Sequence, residues 1–415
     1  MGRWRSGSKG LVVGNYCHDV ILRDGAVVGE SLGGAASFIA NVLDLLDIPC
    51  TYVSKVGPDF AYSVAHLPCV VPHTKTTLFH AHFFSPSPPA AGPHASGCPE
   101  DQQDCHRSHT LHSHQDRTLK LLHACEPISI SDLPLPSSLT RSDFDFDFGM
   151  AVGVAGEITP ETLSRLLDLC RVLFVDVQAL IRTFDVADGT VSLAHLRDTH
   201  FVHLLPRISF LKASSDEAEY IDIQDARNSC CVIVTDGREG CRVYWKDGEF
   251  QVPSFPVIQM DPTGAGDSFL GGFAAGLVQG LSVKDAALLG NFFGSLTVGQ
   301  IGVPRIDSLK LQMEVKYQQL REELTQRTCR CSNGYSEGLV FGDFQQSTEH
   351  EEFRASLARV AKLLNGDRGN SKAADTHEVD QVGSQWKTTS KLLDGPCGAT
   401  PPAQHEESGI HSLEA

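Results

Sequence analysis

The sequence predicts an α/β fold built on a mostly parallel central sheet with helices on both faces. Three observations carry that expectation. Short apolar runs, "VLFVDVQAL", "RISFLKAS" and "CCVIVTDG", read as strands buried on both faces. Capped amphipathic stretches such as "TPETLSRLLDLC" alternate with them, as the helices of βαβ units do. The chain has 415 residues, 41% of them hydrophobic, which is enough for a sizeable core.

Taken in order, residues 11–13 form a short apolar strand, and 20–22 and 26–28 flank Asp24-Gly25, a strong hairpin signal. Helical spacing covers 35–46, and "TYVSKVG" reads as a strand ending at a Gly-Pro turn. From about 83 to 141 the composition shifts to Pro, Ser, His and Gln without a period of 2 or 3.6. Such segments bury too little apolar area to offset chain entropy, so 85–114 reads as a disordered insertion and 135–142 as a shorter one. "FDFGMAVGVAG" resumes the strands, "SDEAEYIDIQDARNS" is mostly helix, and "CRVYWKDGEFQVPSF" is a hairpin around Asp247-Gly248. Helices are expected over 268–279, 283–298 and 308–326. Residues 316–415 read as a polar, mostly disordered tail holding one amphipathic piece, "EEFRASLARVAKLLNG".

Bulk charge narrows the partners. A net charge of -17 lacks the basic footprint that nucleic acid or an anionic membrane surface requires. No apolar run reaches the ~18 residues of a membrane span, and the basic N-terminus leads into strand-like "LVVG" rather than a secretory apolar region. Thirteen cysteines without such a leader read as reduced thiols of a cytoplasmic protein. The His and Cys residues scattered between 80 and 114 fit no paired zinc-ligand framework.

The chemistry-bearing stretch is "QMDPTGAGDSFLGGFAAGL", residues 259–277. A glycine-rich bend over 261–267 runs into a helix expected from about Ser268. A helix start offers unsatisfied N–H groups and a positive dipole end, and Gly264 and Gly266 let successive amides converge on an anion. Asp267 beside that cradle can cap the helix, or can accept a proton from a hydroxyl nucleophile in phosphoryl transfer. A Walker A loop is excluded, because no Gly-Lys-Ser/Thr follows.

"DPTGAGDSF" closely resembles the C-terminal signature of the ribokinase-like (pfkB) carbohydrate kinases. The resemblance implies a ribokinase-like fold with a small β lid, a kinase domain over 10–315, and ATP and Mg2+ as cofactors. It implies Gly264, Ala265 and Gly266 as the anion hole and Asp267 as the catalytic base. "VVGNYCHDV" resembles the first strand and its substrate aspartate, Asp19, and "LGGAAS" the substrate-side Gly33-Gly34. Phe38 stands where the family usually has Asn, so Asn41 or Asn15 is the expected source of that polar contact. In "LKASSDEA", Glu217 matches the acid that organises magnesium, while Ser214 replaces the usual Asn of the phosphate side. "TDGREG" implies Thr235, Gly237 and Gly240 near the ATP phosphates, and Asn291 matches an adenine-pocket position. Within the family, "VVGNYCHDVILRDG", "LGGAASFIANVLD" and "LLGNFFGSLTVGQIG" look like the plant myo-inositol kinases of the route to phytic acid. This implies a small polyol substrate and a monomeric or homodimeric enzyme. Another sugar or nucleoside kinase of the same family, or a catalytically dead kinase-like module, are the competing readings.

Overall fold

Residues 9–84, 117–135 and 144–305 are the part of the chain that this computed structural model describes. The expected insertions, the helix over 308–326 and the tail lie outside the described residues, apart from Leu135. The chain begins with β1 (Gly10–Val13), the hairpin β2 (Cys17–Arg23) and β3 (Ala26–Gly33), and α1 (Ala35–Leu45). β4 (Cys50–Val53), the two-residue β5 (Lys55–Val56) and β6 (Cys69–Val70), then β7 (Thr77–Phe83) and β8 (Arg117–His123) follow. β9 (Phe146–Ala151), α2 (Pro160–Leu169), β10 (Cys170–Asp176), α3 (Gln178–Ile181), β11 (Arg182–Phe184) and β12 (Val191–Leu193) continue the chain. Next come β13 (Phe210–Ser214), α4 (Ser215–Ala218), α5 (Ile223–Ser229), β14 (Cys231–Thr235), β15 (Cys241–Trp245) and β16 (Gly248–Val252). Two long helices close it, α6 (Ala265–Val278) and α7 (Val283–Val298).

The main sheet has eight strands among the described residues, in the order β16-β15-β14-β13-β10-β9-β1-β4. Its pairings from β4 to β14 are parallel, and β15 and β16 add an antiparallel edge. Strand alternation divides the core into two layers. Val12, Phe148, Phe174 and Phe210 face α1, α6 and α7, whereas Leu11, Val13, Val175 and Leu211 face α2 and α5. On the first face, Phe174 stacks on Phe210 with ring centroids 4.8 Å apart and meets Phe273 of α6 edge-on.

A second sheet, β3-β2-β7-β8, forms the lid. Asp24 (φ 50°) and Gly25 (φ 84°) make the two-residue hairpin turn with both central residues in the left-handed region, as the sequence predicts. β8 was not expected. Its run "RTLKLLH" alternates only over Leu119-Lys120-Leu121 and borders the Pro/His/Ser-rich stretch, whose composition hides it. The expected strand "VLFVDVQAL" is also shorter than its apolar run. β10 stops at Asp176, and the chain turns into α3, because the backbone N–H of Gln178 bonds back to Asp176 Oδ1 at 3.2 Å. That turn brings Gln178 to the carboxyl edge of the sheet.

Candidate active site

β9, β10, β13 and β14 all point their carboxyl ends at one edge, the usual location of ligand sites in open parallel sheets. The glycine-rich bend arrives there after β16. Helix α6 starts one turn earlier than expected: Gly264 is its cap at φ 77°, and Asp267 falls in the first turn. Asp267 is therefore not the N-cap, and the capping alternative is set aside. The N–H of Ala265 bonds to Pro262 O at 3.3 Å and that of Ser268 to Gly264 O at 2.8 Å. The amides of Gly266 and Asp267 lie between them, in the turn that a helix start leaves without intrahelical acceptors.

Local packing explains the glycines. A Cβ at Gly264 would overlap the Phe38 ring, itself 1% exposed, so α1 forms the floor beneath the bend. A Cβ at Gly266 would come within 2.7 Å of Lys212 Nζ, so the bend passes directly over a buried ammonium.

Around Asp267 lies a charge cluster that sequence reading missed. Gln178 Nε2 donates to Asp267 Oδ1 at 3.2 Å. Lys212 Nζ pairs with Asp176 Oδ2 at 3.0 Å, and these two residues are register partners on adjacent parallel strands. Asp267 is half-buried. Burial raises its carboxyl above the ordinary range, and Lys212 and Arg182 oppose that rise without cancelling it. Burial also pushes Asp176 up to about 6, against the pull of Lys212. Lys212 itself is held firmly charged: burial disfavours the ammonium, but Asp176, Glu217 and Asp267 outweigh it. The signal that could have revealed this cluster was a Lys and an Asp near the ends of otherwise apolar parallel strands, where an unpaired charge would be very costly.

The other expected site residues divide into two groups. Asp19 sits on the lid strand β2, and a Cβ on Gly33 would overlap its carboxylate. The Cys17 thiol on the same strand is pushed well up by burial, and the charges of Asp19, Glu157 and Asp267 add to that rise while Arg182 opposes it. Gly34, at φ 86°, lets the chain pass against Asn15 O at the start of α1. Ser214 caps α4 and receives the Glu217 N–H at 3.2 Å, while Glu217 Oε2 accepts the Ser214 N–H at 2.8 Å. Glu217 is held ionised: burial opposes its charge, and Lys212, Arg182 and the Ser214 hydrogen bonds more than compensate. Thr235 ends β14 and donates to Ala213 O at 3.3 Å, with Gly237 and Gly240 in the loop beyond.

Three asparagines of the expected site have side chains that hydrogen-bond to backbone groups. Asn15 is 1% exposed, accepts the Lys55 N–H at 2.8 Å and donates to Glu126 O at 3.3 Å. Asn41 donates to Pro304 O at 3.0 Å. Asn291 donates to Val252 O and Pro253 O at 3.0 and 2.9 Å, fastening α7 to the end of β16. Their amides satisfy backbone groups of neighbouring segments, which fixes each side chain in place. A cavity of about 160 Å³ lined by His18, Val20, Glu30, Tyr62 and Leu78 opens behind the lid. His18 and Val20 alternate with Asp19 along β2, so this cavity lies on the opposite face from the acid. Among the described residues no three His, Cys, Asp or Glu side chains converge to hold a metal, and no helix is long and apolar enough to cross a membrane.

A parallel sheet whose carboxyl edge sets a half-buried acid beside a glycine-rich helix start has the parts that phosphoryl transfer to an alcohol requires. Comparison with known proteins gives the family. Residues 196–307 match the model of the pfkB family carbohydrate kinases. The chain is 48% identical to the Inositol 3-kinase of Arabidopsis thaliana over 358 residues, 86% of this chain and 91% of the relative. It is also 48% identical to the Inositol 3-kinase of Oryza sativa subsp. japonica over 385 residues, 90% of this chain and 87% of the relative. It resembles a solved pyrophosphate-dependent kinase of the ribokinase family, complexed with a pyrophosphate analogue and myo-inositol, with TM-score 0.55 and 16% identity over 71% of this chain and 97% of that one. The chain belongs to the pfkB family of carbohydrate kinases.

Proposed function

We propose that this chain is an inositol 3-kinase, transferring the γ-phosphoryl group of ATP to a hydroxyl of myo-inositol and supplying inositol phosphate for phytic acid synthesis. The observation that carries the chemistry is the half-buried Asp267 beside the Gly264–Gly266 bend at the start of a 14-residue helix. The choice of substrate rests on the plant relatives, which match about nine tenths of the chain.

The residues present fit a nucleotide triphosphate. The bend has no side-chain bulk, its first-turn amides and the dipole favour an anion, and Lys212 lies beneath it. Thr235, Gly237 and Gly240 extend the same edge for the remaining phosphates. Asp19 accepts hydroxyl hydrogen bonds from the polyol, with Gly33 and Gly34 giving its ring close approach to the backbone. Asp267 removes the proton as the hydroxyl oxygen bonds to the γ-phosphorus. The bond from phosphorus to the bridging oxygen breaks, and ADP leaves with that electron pair. Magnesium, when bound, would neutralise phosphate charge, and Glu217, held ionised by its surroundings, is the residue that would help hold it. Eight free cysteines among the described residues suit a reducing, cytoplasmic setting.

The test is ATP consumption by the purified protein against myo-inositol, ribose, fructose and adenosine, with phosphorus NMR locating the new ester. Phosphorylation of inositol in clear preference to the others is expected. Turnover of ribose, fructose or adenosine in its place would move the chain to another substrate. Asp267→Asn should keep nucleotide binding and lose at least ~100-fold in turnover.

A further inference from the structure

Gln178 has no place in the mechanism as written, yet among the described residues its side chain donates directly to the base. It is 6% exposed, it opens α3 immediately beyond β10, and its Nε2 lies 3.2 Å from Asp267 Oδ1. Its own N–H is tied to Asp176 Oδ1, and the Val177 N–H bonds to Lys212 O at 2.8 Å. The carboxamide is therefore held by the same strand ends that carry the Asp176–Lys212 pair. An ionised carboxylate only accepts hydrogen bonds, so the amide must present N–H to it. With Oδ1 carrying that bond, Oδ2 is the more basic and less encumbered oxygen of Asp267 for a substrate proton.

We propose that Gln178 is the positioning residue of the base: it fixes Oδ1 of Asp267 and thereby reserves Oδ2 for the proton of the attacking hydroxyl. This rests on the reading of Asp267 as the base. The O–H bond of the acceptor breaks, its proton passes to Oδ2, and its electron pair forms the new P–O bond. The surroundings support the assignment. Lys212 on β13, Arg182 at the start of β11, Glu217 on α4, Asp176 ending β10 and Cys17 on the lid also act on this carboxylate or its neighbours. All of these act through charge or burial and none of them sets which oxygen faces the acceptor. A misaligned base loses turnover, not affinity.

Two substitutions test this in the full chain with ATP and myo-inositol. Gln178→Leu keeps the volume and removes the donor. It should lower kcat about 10- to 100-fold while KM for both substrates stays within about twofold. Gln178→Glu sets a second carboxyl against Asp267. Two carboxyl groups this close share one proton, and the singly protonated pair mimics the amide. This variant should be active only over the pH range in which the pair keeps one proton, and should acquire an alkaline limb, absent from the parent, where that proton leaves. Turnover by Gln178→Leu within about twofold of the parent would overturn the assignment. So would a Gln178→Glu profile that superimposes on the parent, which also decides the matter if the Leu variant fails to fold. Asp267→Asn separates the two claims: if it stays active, the base assignment fails; if it is inactive while both Gln178 variants behave as the parent, only the positioning role fails.

Discussion

Asp267 must be ionised to act as a base, and burial lifts its carboxyl above the ordinary 3.8 of an aspartate. The acid limb of kcat/KM should therefore lie above that value, with activity lost as pH falls through it. Lys212→Met removes the strongest opposing influence, so the limb should move to higher pH, read from a pH–rate profile. The same change leaves Asp176 buried and unpaired, at a cost of about 3–5 kcal/mol, and Asp176→Asn in the same chain should recover most of it in a denaturant melt. Gly264→Ala sets a side chain at φ 77° against the Phe38 ring, so a loss of about 1–3 kcal/mol together with reduced turnover is expected. At this scale the bend and its acid were legible in sequence, because glycines and aspartate keep their meaning in a short motif. Gln178, Lys212 and Asp176 were not, because their pairing depends on two strands meeting in register. Asn15, Asn41 and Asn291 could be read as polar but not as engaged elsewhere, since the carbonyls that claim them are remote in sequence, 263 positions away in the case of Asn41.

Helices α6 and α7 approach closely, and glycines make that possible. A Cβ at Gly272 would lie 2.8 Å from the Phe293 ring, and one at Gly276 would lie 2.9 Å from Ala286 Cα. Gly272→Val should cost about 1–3 kcal/mol by overpacking. Because α6 carries Asp267 on its first turn, kcat should fall with it, which a thermal melt and steady-state kinetics on one preparation would show. Most elements were readable from apolar periodicity, and α7 was predicted with its bounds, its cap being Ser282, which accepts the Asp285 N–H at 3.1 Å. The start of α6 was displaced by one turn because Gly264, lacking a side chain, leaves no capping signature.

Among the described residues, the bend and the loop after β14 lie at the carboxyl edge of the main sheet, and the lid is a separate four-stranded sheet. Ligands that engage both parts stabilise the folded chain as a unit. Each of ATP and myo-inositol at 100 times its Kd should add about 2.7 kcal/mol, seen as a rise in Tm. The α/β class and the lid hairpin were clear from strand–helix alternation and Asp24-Gly25. The way β2 runs parallel to β7, joining distant segments into the lid, was not, because no local pattern encodes it. The lid also contains a pairing with a practical consequence. Phe83 and Arg117 are opposite partners in the β7–β8 ladder, so the segment between them is joined to the lid at two facing strand ends, a single doorway. Chain length at such a doorway has little thermodynamic weight, each doubling adding only about 0.6 kcal/mol of closure entropy. Trimming that stretch to an Asn-Gly connector should leave kcat intact, and a fluorescent reporter spliced there would ride on the lid.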